Sequence, residues 1–453
     1  MAPILFFSTN GKSAPVELRE ALLTGQAPDR GLYLPETFPR FTNAEIAAFA
    51  KLPYHEIAFR VLSRYTDGTL EADALAAMCR DAYDFEVPLE KVYDRVHVMR
   101  LDRGPTASFK DFAAQMMARM FGHILRETRK HVTILTATSG DTGSAVAHAF
   151  HNVPGVQVIV LFPFDEVSVS QRKLMTTLAE NVRTIAVDGK FDDCQAIVKR
   201  AFADPALKHI PLSSANSINI GRLLPQSVYY FYAAARVARP GEPIVFSVPS
   251  GNFGDMMGAV VAGQMGLPIR KLIVPVNSND AFPRFLKTGV YRKIEPSRNS
   301  VSNAMNVGHP SNLARLVSVY GGRMDETGGI HRMPDLDAMR RDLFSSAISD
   351  ERTRSTIQEV WTKYQLLLEP HGAVAWRGFL DWLDAESLDN APAVILETAN
   401  PAKFPEEIEK TIGFSPDVPP AMIATNKLPE DFDRLGADYE KFRLYLMEKH
   451  GAA

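Results

Sequence analysis

The sequence predicts an α/β fold with parallel sheet, preceded by a mainly helical N-terminal segment. Three observations lead there. From about Val96 onward, short apolar runs rich in β-branched residues alternate with stretches of helical periodicity. Those runs lack the polar alternation of a strand with one wet face, so they fit parallel strands buried on both sides. Before Val96, apolar residues recur at helical spacing, punctuated by Gly25, Pro28, Gly31, Pro35 and Pro39.

In chain order, residues 44–50, 54–65 and 70–82 read as N-terminal helices. The expected strands are 132–137, 156–162, 182–187, 243–248, 272–276 and 393–398. Helical patterns fall at 111–127, 142–152, 168–180, 195–203, 227–236 and 254–265. Strand, turn and helix in alternation is the mark of an α/β core, in one large sheet or two lobes. In such sheets chemistry gathers at the carboxyl ends of the strands, so those turns matter most.

Composition narrows the function. A length of 453 residues suggests two or three domains, and 46% hydrophobic with 23% charged residues excludes extensive disorder. Fifty Lys and Arg against 53 Asp and Glu leave −3, which excludes a general electrostatic claim on nucleic acid or an anionic membrane. Two cysteines, Cys79 and Cys194, cannot build a disulfide framework or a thiolate metal site, and they suit a reducing compartment. The apolar run at residues 4–7 is too short for a signal sequence and lacks a basic flank. No stretch approaches the ~20 apolar residues of a membrane span. A cytoplasmic protein is expected.

Several chemistries are excluded by missing motifs. No Gly-x-Gly occurs for a dinucleotide fingerprint, and the Gly11-Lys12-Ser13 tripeptide has Phe6 where a P-loop needs glycine. Ala137 breaks the nucleophile-elbow pattern around Ser139, and Phe59 replaces the second histidine after His55-Glu56.

Three other segments carry small and polar residues near strand ends. In the first, a strand runs into Ser139-Gly140-Asp141-Thr142-Gly143 and then a helix. Backbone amides and hydroxyls at a helix start make an anion site, although the same residues also serve as ordinary N-caps. In the second, Gly251-Asn252-Phe253-Gly254 follows a strand, and its glycines would let the backbone curl into a phosphate nest or a plain turn. In the third, Lys110 lies between Phe109 and Asp111 at the head of an apolar helix. Lysine is usually a solvated surface residue, but apolar neighbours here would bury it, depress its pKa and make its amine a nucleophile. Amine, phosphate nest and anion-binding helix start together suggest a phosphorylated aldehyde cofactor, pyridoxal 5'-phosphate.

At these residues the chain resembles the threonine synthase family, in its long fungal and enterobacterial-like subgroup. The resemblance runs through Gly31–Glu36, Ser108–Asp111, Thr136–Ala145, Gln171–Lys173, Asn216–Asn219 with Arg222, Pro249–Asp255 and Glu397–Lys403. It implies a fold-type II enzyme like the tryptophan synthase β subunit, with two parallel-sheet lobes. Residues 1–95 would form the helical N-terminal domain and residues 96–453 the catalytic core, with the smaller lobe at roughly 130–235. The implied reaction turns O-phospho-L-homoserine and water into L-threonine and phosphate, as a carbon–oxygen lyase acting on phosphates. By the same resemblance Lys110 would hold the cofactor and act as general acid and base. Gly251, Asn252, Phe253 and Gly254 would cradle its phosphate, and Thr398 would face its ring nitrogen. Asp141 stands where many relatives place Asn near the ring hydroxyl, where a bare carboxylate would repel a phenolate. Ser139 and Thr142 would hold the substrate carboxylate, and Asn216, Ser217 and Arg222 the substrate phosphate. A monomer or homodimer is implied. The competing readings are a phospho-lyase or a threonine or serine dehydratase releasing a 2-oxo acid, and a binding protein that kept the fold. Dehydratases need no phosphate set, and a binding protein needs no Lys110.

Overall fold

The protein is described here by a computed structural model covering residues 3–450. Two parallel sheets organise it. One has six strands in the order Leu343–Phe344, Ile269–Ile273, Ile244–Ser247, Ala393–Glu397, Val96–Arg100 and Leu89–Tyr93. All its neighbours run parallel except the last pair. The other has five parallel strands, Asp433–Gly436, Val182–Asp188, Val156–Pro163, Val132–Ala137 and Leu212–Ser213. Strand Val132–Ala137 is buried along its whole length, as an unalternating run in a doubly covered sheet should be.

The expected α/β class therefore holds, with local differences. The strand expected at 272–276 lies at Ile269–Ile273, because Pro275 has no N–H for the ladder and ends the regular pairing. The N-terminal helices Asn43–Ala48, Tyr54–Thr66 and Ala72–Ala82 are joined by a small antiparallel sheet of Val16–Glu17, Leu5–Ser8 and Tyr33–Pro35. The Gly and Pro residues near these strands mask their short pattern. The hairpin of Leu89–Tyr93 and Val96–Arg100 straddles residue 95.

The helix Lys110–Thr128 is buried on nearly every face, and the N-terminal segment is one reason. Tyr54 meets Phe112 edge to face at 5.2 Å, and Phe112 meets Tyr229 at 5.0 Å. Such aromatic pairs contribute roughly 0.5–1.5 kcal/mol each beyond area burial. The N-terminal helices thus brace the turn that carries Lys110. Among the described residues, no helix is long and apolar enough to cross a membrane.

Candidate active site

The turns after strands Val96–Arg100, Val132–Ala137, Ile244–Ser247 and Ala393–Glu397 converge on one cavity between the two sheets. Lys110, Ser139, Asp141, Thr142, Asn216, Ser217, Arg222, Gly251, Asn252, Phe253, Gly254 and Thr398 all line it.

Lys110 opens its helix with the ammonium 4.4 Å from the Phe109 ring centroid and 3.7 Å from Asp141 Oδ2. Burial pushes its pKa below the ordinary lysine range, and the nearby Lys403 and Arg222 charges act the same way against Asp141. That direction raises the share of neutral amine, the form that acts as a nucleophile. Asp111, next along, is fully buried, and its carboxylate accepts from Thr106 N at 2.8 Å and Thr106 Oγ1 at 2.5 Å, which shapes the loop before the helix.

Asp141 has a partner that sequence spacing did not reveal. Lys403 Nζ lies 2.7 Å from Asp141 Oδ1, has no exposure, and also donates to Thr106 O at 2.9 Å. Gln171 Nε2 donates to the same oxygen at 3.1 Å. Burial alone would raise the Asp141 pKa, but Lys403 and Lys110 outweigh it and hold the carboxyl well below the usual range. The expected repulsion between Asp141 and a phenolate therefore meets a buried ammonium at the same spot. The signal available was Lys403 at the end of the Glu397–Lys403 segment, but its burial is not visible in a sequence.

Helix Asp141–Phe150 starts at the cavity, and Gly140 before it takes φ 127°, which only glycine adopts easily. Thr138 Oγ1 accepts from Gly140 N and Gly143 N, fixing the turn. The hydroxyls of Ser139 and Thr142 have no partner among the described residues and face the cavity. They are free for an anion.

The glycine loop precedes helix Gly254–Gln264. The left-handed residue is Phe253, at φ 65°, not either glycine. The expectation that Gly251 and Gly254 free the curl is thus corrected: they are glycine because of close packing. A Cβ on Gly251 would sit 2.8 Å from both Ala304 O and Met305 Cα, and one on Gly254 would sit 3.0 Å from Ser217 Cβ. Asn252 Nδ2 donates to Ser217 Oγ at 2.8 Å, and Asn312 Nδ2 donates to it at 3.0 Å. With both acceptor positions filled, the Ser217 proton is left to donate outward. Asn216 directs one amide hydrogen to Ala137 O at 3.2 Å, which leaves it the other.

Two buried arginines lie near this loop, and they differ. Arg315 donates to Tyr33 O, Ser217 O, Ile218 O and Asn312 Oδ1, so its role is to tie segments together. Arg222 is 3% exposed and has no carboxylate within ion-pair distance among the described residues. Its Nη1 donates to Ala215 O at 2.5 Å, while its Nε has no partner. Burial pushes its pKa down to about 10. An uncompensated buried cation in a cavity is a site for an anion.

Thr398 follows its strand, and its Oγ1 lies 3.4 Å from Glu369 Oε1. Glu369 caps helix Pro370–Leu383, and His371 lines the cavity beside it. Neither Glu369 nor His371 belonged to a segment that sequence reasoning singled out. Among the described residues no cluster of His, Cys, Asp and Glu could hold a metal ion. A buried amine, a cation without a counter-ion, two helix starts and a glycine loop fit pyridoxal phosphate and its substrate.

Comparison with known proteins identifies the family. The pyridoxal-phosphate dependent enzyme family matches residues 87–398, the threonine synthase N terminus matches 5–83, and the threonine synthase C-terminal family matches 372–445. A threonine synthase of Haemophilus influenzae is 38% identical over 437 residues, covering 96% of this chain and 97% of that protein. The crystal structure of pyridoxal-phosphate-bound threonine synthase from Brucella melitensis superposes with a TM-score of 0.91 at 35% identity, covering 99% of this chain and 100% of the other. That of the Escherichia coli threonine synthase gives 0.87 at 37% identity, covering 98% and 99%.

Proposed function

The chain belongs to the threonine synthase family of pyridoxal-phosphate-dependent enzymes, and from that premise we propose that it converts O-phospho-L-homoserine and water into L-threonine and inorganic phosphate, as a carbon–oxygen lyase. The observation that carries the substrate is Arg222: a buried cation without a counter-ion shares a cavity with the amine of Lys110.

Bound pyridoxal phosphate supplies an electron sink for the substrate's α carbon. The chain does the rest. The Gly251–Gly254 amides, at a helix start, hold the cofactor phosphate. Thr398 would face the ring nitrogen, and Asp141 with Lys403 would meet the ring hydroxyl. Ser139 and Thr142 hold the substrate carboxylate at the other helix start. Lys110 Nζ anchors the cofactor, and once free of it accepts the α proton and later returns one. Asp141, 3.7 Å away, stabilises the ammonium formed at that moment. Arg222, Ser217 and Asn216 hold the substrate phosphate, and Arg222 stabilises the negative charge as that group departs. A dehydratase would make no use of this last set. Buried free Cys79 and Cys194 suit a reducing compartment such as the cytoplasm, and the family resemblance implies a monomer or homodimer.

The test is Arg222→Lys. It keeps the charge and loses the forked geometry, and a lost charge-assisted hydrogen bond of ~1.5–3 kcal/mol is roughly one to two decades. kcat/KM for phosphohomoserine should fall by that factor while Lys110 still takes up cofactor. An unchanged kcat/KM would move the phosphate site elsewhere.

A further inference from the structure

Lys403 makes and breaks no bond in the steps above, yet it touches the carboxylate that serves Lys110. It ends the single helical turn Pro401–Lys403, and its side chain has no exposure. Asn400 pins that turn: its Oδ1 accepts from Ala402 N at 3.0 Å, and its Nδ2 donates to Asp102 Oδ2 at 2.9 Å. So placed, Lys403 Nζ has two acceptors, Asp141 Oδ1 at 2.7 Å and Thr106 O at 2.9 Å.

Lys110 has no such partners. Its Nζ is 3.7 Å from Asp141 Oδ2, beyond hydrogen-bond reach, and it lies 4.4 Å from the Phe109 ring centroid. Among the described residues its amine makes no hydrogen bond. Asp141 is already engaged, because Oδ1 accepts from Gln171 Nε2 as well as from Lys403. Two lysines therefore flank one buried carboxylate, whose charge offsets only one of them. A proton is more stable on the nitrogen with two acceptors than on the nitrogen with none.

We propose that Lys403 is a positioning residue for Lys110: by claiming the Asp141 carboxylate it leaves Lys110 without a counter-ion of its own, so that Lys110 meets the cofactor aldehyde as a free amine. The inference rests on Lys110 as the cofactor-bearing residue under Proposed function. Only the amine reacts, since its lone pair forms the bond to the aldehyde carbon and its two protons leave with the aldehyde oxygen as water. The same sharing serves the later proton transfer. Asp141 Oδ2 still faces Lys110, so an ammonium can form there, but Lys403 weakens that hold and lets the proton be returned. The other titratable or charged groups around Lys110 are Arg222, whose charge acts with Lys403, and Glu369 and Asp255. A carboxylate beside Lys110 without Lys403 would keep it as an ammonium.

The experiment strips cofactor from the purified holoenzyme, adds pyridoxal phosphate back, and follows the rate of covalent attachment across neutral and alkaline pH. In wild type the rate should reach half its maximum below the pH at which an ordinary lysine titrates, ~10.4. Lys403→Met should move that midpoint upward, slowing attachment at least ~10-fold at neutral pH while the alkaline plateau stays in place. Adding Asp141→Asn to Lys403→Met should return the midpoint to near its wild-type position, because nothing then holds the ammonium. A merely structural role for Lys403 would slow attachment at every pH, and removing a second charge would not relieve it. If Lys403→Met fails to fold, Lys403→Gln, which keeps an amide donor and loses the charge, should give the same upward shift. A wild-type midpoint at or above the ordinary lysine range overturns the proposal. So does a Lys403 variant with an unmoved midpoint, a loss equal at all pH values, or a midpoint that Asp141→Asn does not return. Borohydride reduction and peptide mapping of the same samples separate the two layers. Label on Lys110 with an unmoved midpoint overturns this inference alone, whereas label on another lysine overturns the site reading and this inference with it.

Discussion

Arg222→Met should make the cofactor-free protein more stable while disabling turnover. Burial brings the Arg222 pKa down to about 10, and each pKa unit corresponds to ~1.4 kcal/mol, so carrying the charge costs the folded state roughly 3 kcal/mol. At 3% exposure there is little solvent to screen that cost. Against it stands one charge-assisted hydrogen bond, Nη1 to Ala215 O, of ~1.5–3 kcal/mol. Methionine also buries a flexible apolar chain in the same space. The net should be a gain of about 1 kcal/mol, in the direction seen when buried charges are replaced by apolar groups. The assay is urea unfolding of both apoproteins, with and without millimolar inorganic phosphate. The variant should have the higher midpoint without phosphate, and phosphate should raise the wild-type midpoint but not the variant's. The reasoning fails if Arg222→Met is less stable than wild type by a kcal/mol or more, or if phosphate stabilises both equally.

Three further outcomes follow from the same geometry. Lys110→Ala should lose turnover and covalent cofactor together, and borohydride labelling of a different lysine in wild type would refute the assignment. Gly251→Val places carbon atoms against Ala304 O and Met305 Cα, so cofactor affinity should fall while the apoprotein still folds; equal retention on equilibrium dialysis would mean the loop has another role. Burial pushes the Asp255 pKa up to about 7, despite the Tyr230 hydrogen bond and the Lys110 charge. The folded protein then binds this proton more tightly than the unfolded chain, where Asp titrates near ~3.9. Its contribution to stability is therefore greatest at low pH, declines as pH rises from about 4 to about 7, and levels off above that. Asp255→Asn keeps an acceptor for Tyr230 and removes this loss, so the apoprotein variant should gain on wild type between pH 5 and pH 8. A stability difference that stays flat across that range would mean the carboxyl titrates normally.

What the sequence made legible was local. Unbroken apolar runs located the main parallel strands, because a strand covered on both faces has no polar alternation to disguise it. Lys110, the Ser139–Thr142 turn and the Gly251–Gly254 loop stood out because small residues, hydroxyls and one lysine sit where strands end. What stayed hidden depends on contacts between distant segments. Lys403 meets Asp141 across 262 positions, a separation read directly from their numbers, and no spacing rule encodes it. Glu369 and His371 read as an ordinary helix start, and their bearing on Thr398 exists only once strand Ala393–Glu397 lies beside helix Pro370–Leu383. The reason for glycine at 251 was also unreadable, since it is the backbone of residues 304 and 305 that closes on it. The short N-terminal strands were missed because two to four residues carry too little periodicity to register.

The most direct test is to incubate the holoenzyme with O-phospho-L-homoserine and measure L-threonine, inorganic phosphate and 2-oxobutyrate over one time course. Threonine and phosphate should appear in equal amounts, without 2-oxobutyrate. Phosphate released with 2-oxobutyrate and ammonia, and no threonine, would contradict the account.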